Sequence, residues 1–165
     1  MPDVFHQRRL RGVVALIVVL AAGSPMAGNG RGDALAAEVL RVGPTRQYAV
    51  PSAAAAVASD GDVIEIDAGT YAGDVAIWRA DRLTIRGVGP GRPHLKAAGN
   101  SAEGKAIWVI KGDDTIVENI EFSGAVVGDG NGAGIRQEGT NLTVRDSYFH
   151  DNQMGLLAGD DDRST

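Results

Sequence analysis

Short runs of alternating apolar and polar residues recur through most of the chain. The segments "AIW" at 76–78, "AIW" at 106–108, "GIR" at 134–136 and "GLL" at 155–157 each contain a central aliphatic side chain, and a second apolar run follows each of the first three. Alternation with a period of two predicts half-buried β-strands, and none of these repeats contains an apolar run long enough for an amphipathic helix. The chain is therefore predicted to repeat a unit of strand, turn, strand and turn.

Two series of positions are equivalent in these repeats. The first series is Ile77, Ile107, Ile135 and Leu156, and the second is Ile85, Val117 and Val144, followed in the last two repeats by Phe122 and Phe149. Strand-and-turn repeats of roughly 20–30 residues are typical of parallel strands wound into a solenoid, in which each rung is buried by its neighbours. A meander β-sandwich also has regular short strands and is the alternative.

A different pattern precedes the repeats, in "PSAAAAVASDGDVIEIDAGTY" at 51–71. Pro51 begins an Ala-rich segment, Asp60 and Gly61 end it as a turn, and an aliphatic strand follows. Pro at the start and Gly after the end predict a short helix. Because a helix of about two turns is marginal by itself, we expect it to cap the open end of the solenoid.

The N-terminal segment has the pattern of an export signal. Arg8, Arg9 and Arg11 precede the uncharged apolar run "VVALIVVLAAG" at 13–23. This run is shorter than the ~20 residues that span a bilayer comfortably. A twin-arginine route and an uncleaved N-terminal anchor are the alternatives. In each case we expect the body of the protein to lie outside the cytoplasm, and the export signal predicts a secreted or periplasmic protein.

The predicted cleavage sites set the domain boundary. Small residues place cleavage after Ala27 or after Ala36. Residues 1–36 are therefore taken as export signal and leader, and residues 37–165 as one domain, since a chain of this length supports a single core.

Composition and charge limit the kinds of partner that the chain is expected to bind. The chain has no Cys, which excludes disulfides and thiolate metal sites. Its formal net charge is −5, so we expect no nucleic-acid partner, because phosphate contacts need a basic surface. An acidic polysaccharide would need a local basic patch or a bridging divalent cation.

Several motifs resemble a known superfamily. "DGDVIEIDAGTY" at 60–71 and "LTIRGVG" at 83–89 look like the opening of the pectate-lyase-like right-handed parallel β-helices, and "GAGIRQEGTNLTVRDSYFHDNQMGLLAG" at 132–159 resembles their generic rung. The resemblance covers roughly residues 45 to 159. It implies an all-β, right-handed parallel β-helix with a short N-terminal capping helix. The superfamily includes lyases, hydrolases, esterases, epimerases and non-catalytic tail or adhesion proteins.

The chain departs from the enzymes of that superfamily. It contains no Arg-x-Pro-x-x-Arg, Gly-His-Gly or Gln-Asp-Thr motif of pectate lyases, polygalacturonases or pectinesterases. The resemblance therefore leaves two hypotheses open. One is an exported carbohydrate-active protein, a polysaccharide lyase or glycoside hydrolase in its full-length form. The other is a non-catalytic surface or glycan-binding solenoid.

The segment after Leu156 lacks the apolar second strand of the earlier repeats. We therefore expect the sequence to stop in mid-rung, as the N-terminal piece of a longer solenoid. Such an end would leave strand edges open to self-association and aggregation. A genuine terminus with its last edge solvated by acidic residues is the alternative.

The "HDN" motif is a candidate for catalysis. It consists of His150, Asp151 and Asn152, at an expected turn after Phe149. A His beside a carboxylate can act as a general base near neutral pH. Turn chemistry explains the same residues, because Asp and Asn bond their own backbone.

Three basic side chains are candidates for substrate contact. Lys111, Arg136 and Arg145 occur on or beside successive predicted strands. A lyase needs a base and a positive charge that stabilises an enolate-like anion. Ordinary charges on a solvent face are the alternative.

Acidic residues near the C-terminus are candidates for Ca²⁺ binding. Asp160, Asp161 and Asp162, together with Asp129 and Asn131, could supply oxygen ligands. A solvated loop is the alternative, because consecutive Asp residues rarely all point at one ion. No other cofactor is evident.

The two "AIW" triplets bring Trp78 and Trp108 to equivalent predicted positions. Exposed and stacked, they would form a platform for sugars. The alternative is that they cover an edge or a loop.

Overall fold

The computed structural model describes residues 36–159, which form eleven β-strands and one short helix. The strands are β1 (Val39–Val42), β2 (Val63–Ala72), β3 (Ala76–Trp78), β4 (Thr84–Lys96), β5 (Ala106–Ile110), β6 (Ile116–Glu118), β7 (Glu121–Ser123), β8 (Ala133–Gln137), β9 (Thr143–Arg145), β10 (Tyr148–His150) and β11 (Met154–Ala158), and the helix is α1 (Pro51–Ala55). The predicted all-β class is confirmed. The export-signal prediction falls outside the described residues.

The strands form two sheets, and every ladder between these strands is parallel. One sheet has seven strands, with the order β1-β2-β4-β6-β9 and a branch in which β4 pairs with β7 and β7 with β10. The other has the order β11-β8-β5-β3. The meander alternative is wrong, because its neighbouring strands would run antiparallel.

The branch arises because β2 and β4 are long strands with an irregularity in the middle. Their first halves pair from Val63 to Asp67, and their second halves pair from Gly69 to Ala72 after a shift in register. Later passages of the chain use two short strands instead, β6 with β7 and β9 with β10. From β2 onward, each passage therefore adds to three parallel strips, the third being the four-stranded sheet.

Apolar side chains from successive passages lie in register. Ile85 pairs with Val117 and Val117 with Val144, as the second sequence series predicts. Phe122 pairs with Phe149, and their rings stack with centroids 5.0 Å apart and planes 10° from parallel. Ile85, Val117 and Phe122 are fully buried. The core therefore lies between the strips.

The first sequence series is partly out of register. Ile77 pairs with Val109, and Trp108 pairs with Ile135, so the two "AIW" triplets are offset by two residues. Only the pairing of Ile135 with Leu156 follows the prediction. Identical triplets misled the alignment, because burial of side chains and not local identity sets strand register.

Strand β5 is buried on both faces, contrary to the expected half-buried strand. All five of its residues are buried. Ala106 and Val109 belong to a small second cluster with Ala102 and Ala133. Ala102, in the segment that precedes β5, therefore helps to cover this strand.

Acidic side chains tie the turns of successive passages together. Asp60 accepts a hydrogen bond from the backbone N–H of Asp81 at 3.0 Å, and Asp81 accepts one from Asp113 at 2.9 Å. Asp113 in turn accepts one from Thr140 at 2.8 Å. This ladder satisfies backbone donors that strand pairing leaves free.

Helix α1 has five residues, fewer than the two turns expected. Pro51 and Ala54 are buried, and the helix packs against β1 and β3. Both the backbone N–H and the hydroxyl of Ser52 donate to the carboxylate of Asp74. The role of helix α1 as a cap stays a prediction. In residues 36–159, no helix is long and apolar enough to cross a bilayer.

Candidate functional site

The second halves of β2 and β4 form the second strip together with β7 and β10. Polar side chains cover the solvent side of this strip. The inward residues are Leu95, Phe122 and Phe149. Because side chains alternate along a strand, their neighbours point outward. We call this surface the histidine face, and it comprises His94, Lys96, Glu121, Ser123, Tyr148 and His150.

Register fixes the layout of the histidine face. His94 lies opposite Glu121, which lies opposite Tyr148. In the adjacent row, Ser123 lies between Lys96 and His150. Neighbouring strands are about 4.8 Å apart, so side chains from three passages of the chain can meet.

His150 is the last residue of β10 and not part of a turn. Its Nδ1 lies 2.8 Å from Asp151 Oδ2, and its Nε2 lies 2.9 Å from Glu121 Oε1. The hydrogen bond to Asp151, followed by the one to Glu121, raises the pKa of His150 above its usual value. Both carboxylates favour the imidazolium, so His150 can act as a base only when one nitrogen is released. Catalysis by His150 and Asp151 stays a prediction.

His94 lies over the same strip. Its Nε2 is 2.6 Å from Ser123 Oγ and 3.6 Å from Glu121 Oε1. Ser123 is only 4% exposed and forms the floor of the cluster. The rings of His94 and His150 are 5.7 Å apart between centroids, and the Tyr148 ring stacks beside His150 at 4.9 Å.

Sequence reasoning missed His94 and Glu121. They lie far from His150 in the chain, and no local motif connects them. The signal that could have found them is the apolar register: His94 precedes the inward Leu95 as Glu121 precedes Phe122. Aligning the repeats on these residues places the polar neighbours side by side.

Asn152, the third residue of the "HDN" motif, has a structural role. Its Oδ1 accepts a hydrogen bond from the Ala125 backbone N–H at 2.9 Å, and its Nδ2 donates to the Phe122 carbonyl at 3.0 Å. It therefore joins the turn after β10 to the turn after β7.

Lys111 belongs to a separate group, which we call the lysine–glutamate cluster: Glu103, Lys105, Lys111 and Glu138. Lys111 Nζ lies 2.7 Å from Glu103 and 3.4 Å from Glu138. Lys105 Nζ lies 2.5 Å from Glu138 and 3.2 Å from Glu103. These contacts lower the pKa of Glu138, chiefly through Lys105, and that of Glu103, chiefly through Lys111. Lys111 is thus engaged by two carboxylates.

Arg136 and Arg145 do not form one basic patch. Arg145 lies on β9 and forms an ion pair with Glu118. Arg136 lies on β8, in the four-stranded sheet, opposite Val109. Their role as a joint substrate contact is therefore not supported by a shared location.

The two tryptophans are core residues. Trp78 and Trp108 are fully buried, and their rings meet edge to face with centroids 5.2 Å apart. Trp108 also packs edge to face on Phe122. The sugar platform is wrong, because neither ring reaches solvent.

The calcium prediction is not tested by the described residues. Asp129 and Asn131 are exposed in the segment between β7 and β8. Asp160, Asp161 and Asp162 lie outside the described residues. Ca²⁺ binding therefore stays a prediction.

The strands β9, β10 and β11 each have one neighbour among the described strands. Met154 and Leu156 on β11 are 42% and 43% exposed. Self-association through this end also stays a prediction.

Comparisons with protein-family models, with curated proteins and with solved structures found no match to this chain. Its function is therefore inferred from its own residues.

Proposed function

We propose that the chain is an exported right-handed parallel β-helix of the pectate-lyase-like kind that binds an acidic polysaccharide along the histidine face. The observation that carries the proposal is the in-register array of imidazole, ammonium, hydroxyl and phenol groups on three adjacent parallel strands.

The parallel strips support the helical architecture. From β2 onward, each passage of the chain adds one strand segment to each strip, and the turns stack through the ladder of Asp side chains. Helix α1, packed on β1 and β3, suits a cap at the start of such a solenoid. The sequence resemblance at residues 60–71 and 132–159 points to the same architecture.

The charge on the histidine face supports an acidic ligand. Lys96 is exposed, and the hydrogen bonds of His150 to Asp151 and Glu121 raise the pKa of His150. Lys96 therefore offers a positive group that a uronate carboxylate could contact, whereas His150 already contacts two carboxylates, those of Glu121 and Asp151. The exposed Tyr148 ring, 52% accessible, offers an apolar face for a sugar ring.

Two contacts of His150 favour binding over catalysis. Both nitrogens of His150 already face carboxylates, Asp151 and Glu121. A general base needs a free nitrogen within reach of the proton that it removes. A lyase or hydrolase activity is therefore the second hypothesis, and it requires that substrate displace Glu121.

Calorimetric titration of the full chain with uronate oligosaccharides tests the proposal. We expect saturable binding, and Lys96→Ala should weaken it by about tenfold, which corresponds to the loss of a charge-assisted hydrogen bond. Arg41→Ala is the matched control, since it removes one positive charge from the distant strand β1. Equal losses in both variants, or no binding to any uronate polymer, would refute the proposal. Absorbance of unsaturated products in the same samples would identify a lyase.

A further inference from the structure

Three metal-ligating side chains converge on the histidine face. The nearest ligand atoms of His94, Glu121 and His150 all lie within 4.8 Å of one another. They come from β4, β7 and β10, which are rigidly paired in one sheet. A constellation on paired strands is held more firmly than one on loops.

The spacing of the ligand atoms suits a tetrahedral ion. Bonds of about 2.1 Å to zinc place neighbouring ligand atoms about 3.4 Å apart. Glu121 Oε1 lies 2.9 Å from His150 Nε2 and 3.6 Å from His94 Nε2. Side-chain adjustments of about 0.5 Å or less bring these two distances to the tetrahedral value. The ligand atoms of His94 and His150 lie within 4.8 Å of each other and must approach by at most about 1.4 Å.

The second ring nitrogen of His150 has the partner that a metal-bound His needs. Asp151 Oδ2 lies 2.8 Å from His150 Nδ1 and can accept its proton. This contact favours a proton on Nδ1, so that Nε2, which faces Glu121, can bind a metal once it is deprotonated. Asp151 itself has a positive φ of 53° and is therefore placed by the turn that ends β10.

The ligand types favour Zn²⁺ over Ca²⁺. Two imidazoles and one carboxylate suit Zn²⁺, whereas Ca²⁺ takes six to eight oxygen ligands. Three protein ligands leave a fourth position for water, and His94, Glu121 and His150 are all only partly buried. His94 Nε2 lies 2.6 Å from the buried hydroxyl of Ser123, and this hydrogen bond must be released when Nε2 binds the metal.

We propose that His94, Glu121 and His150 bind one Zn²⁺ ion, with Asp151 as the positioning residue for His150. The proposal does not depend on glycan binding. If these residues bind no Zn²⁺, they form only a polar contact in which His150 lies between the carboxylates of Asp151 and Glu121.

Titration of the metal-depleted full chain with ZnCl₂, in competition with a chromogenic chelator, tests the proposal. We expect one equivalent of Zn²⁺ to bind with a dissociation constant in the micromolar range or below. His94→Ala and His150→Ala should each lower the affinity by at least about 100-fold, and Asp151→Asn by about 10- to 100-fold. Glu103→Gln, which removes a carboxylate from the separate lysine–glutamate cluster, is the matched control and should leave the affinity unchanged.

Two further readouts distinguish this site from other metal binding. Co²⁺ should give the intense visible absorption of tetrahedral coordination, and excess Ca²⁺ should not displace Zn²⁺. Circular dichroism verifies that each variant keeps its β-structure. Absence of stoichiometric binding, a site that survives both His substitutions, or displacement by Ca²⁺ would overturn the proposal.

Discussion

The paired phenylalanines offer the sharpest test of how successive passages of the chain pack. Phe122 is fully buried between Trp108, edge to face at 5.0 Å, and Phe149, stacked at 5.0 Å. Truncation of a buried Phe to Ala costs about 3–5 kcal/mol, through lost burial and the cavity that remains. We expect Phe122→Ala to lie near the middle of this range. Phe149→Ala should cost about half as much, because Phe149 is only partly buried.

The double variant measures the contact between the two rings. A stacked aromatic pair contributes about 0.5–1.5 kcal/mol beyond its buried area. The loss of stability in the double variant should therefore fall short of the sum of the single losses by about 1 kcal/mol.

Equilibrium unfolding of the full chain in urea, followed by far-ultraviolet circular dichroism, provides these free energies. Tryptophan fluorescence is less suitable, because Trp108 touches Phe122. Val126→Ala is the control, since Val126 is 63% exposed and should change stability by less than about 0.5 kcal/mol. A loss below about 1 kcal/mol for Phe122→Ala, or additivity within about 0.3 kcal/mol, would refute the register.

Two further perturbations address backbone packing and acid stability. Gly112→Ala should destabilise the chain by more than about 2 kcal/mol, because its Cβ would overlap the Ala80 carbonyl. Gly128→Ala, whose Cβ would meet nothing within 4 Å, is the control, and equal urea midpoints would contradict the prediction. Hydrogen bonding from Lys105 lowers the folded-state pKa of Glu138. The Glu138 carboxylate therefore stabilises the fold above its unfolded pKa of about 4.3, and this stabilisation is lost as the pH falls through the folded-state pKa. Glu138→Gln should therefore flatten the loss of urea stability between about pH 7 and about pH 3, and an unchanged slope would contradict this.

The sequence identified only two of the four residues of the candidate site. His150 and Asp151 are adjacent, so a local motif identified them. His94 and Glu121 join them only because β4, β7 and β10 pair in register. Register depends on which side chains are buried in every strand at once, and a single sequence gives only partial access to that information.

The tryptophans show a second limit of reasoning from the sequence. The "AIW" triplets correctly predicted two strands, and the two-residue offset between β3 and β5 keeps Trp78 and Trp108 on the same face of the sheet, in contact inside the core. The triplets alone could not decide between a solvent platform and an interior contact, because alternation separates two faces of a strand without showing which one is buried.

Alternation of apolar and polar residues determined the all-β class and the equivalent positions Ile85, Val117 and Val144, since side chains on a strand must alternate between core and solvent. The tertiary structure decided which polar residues meet. Contacts such as that between His150 and Glu121 depend on the stacking of distant passages, and only the packing of the whole core fixes that stacking.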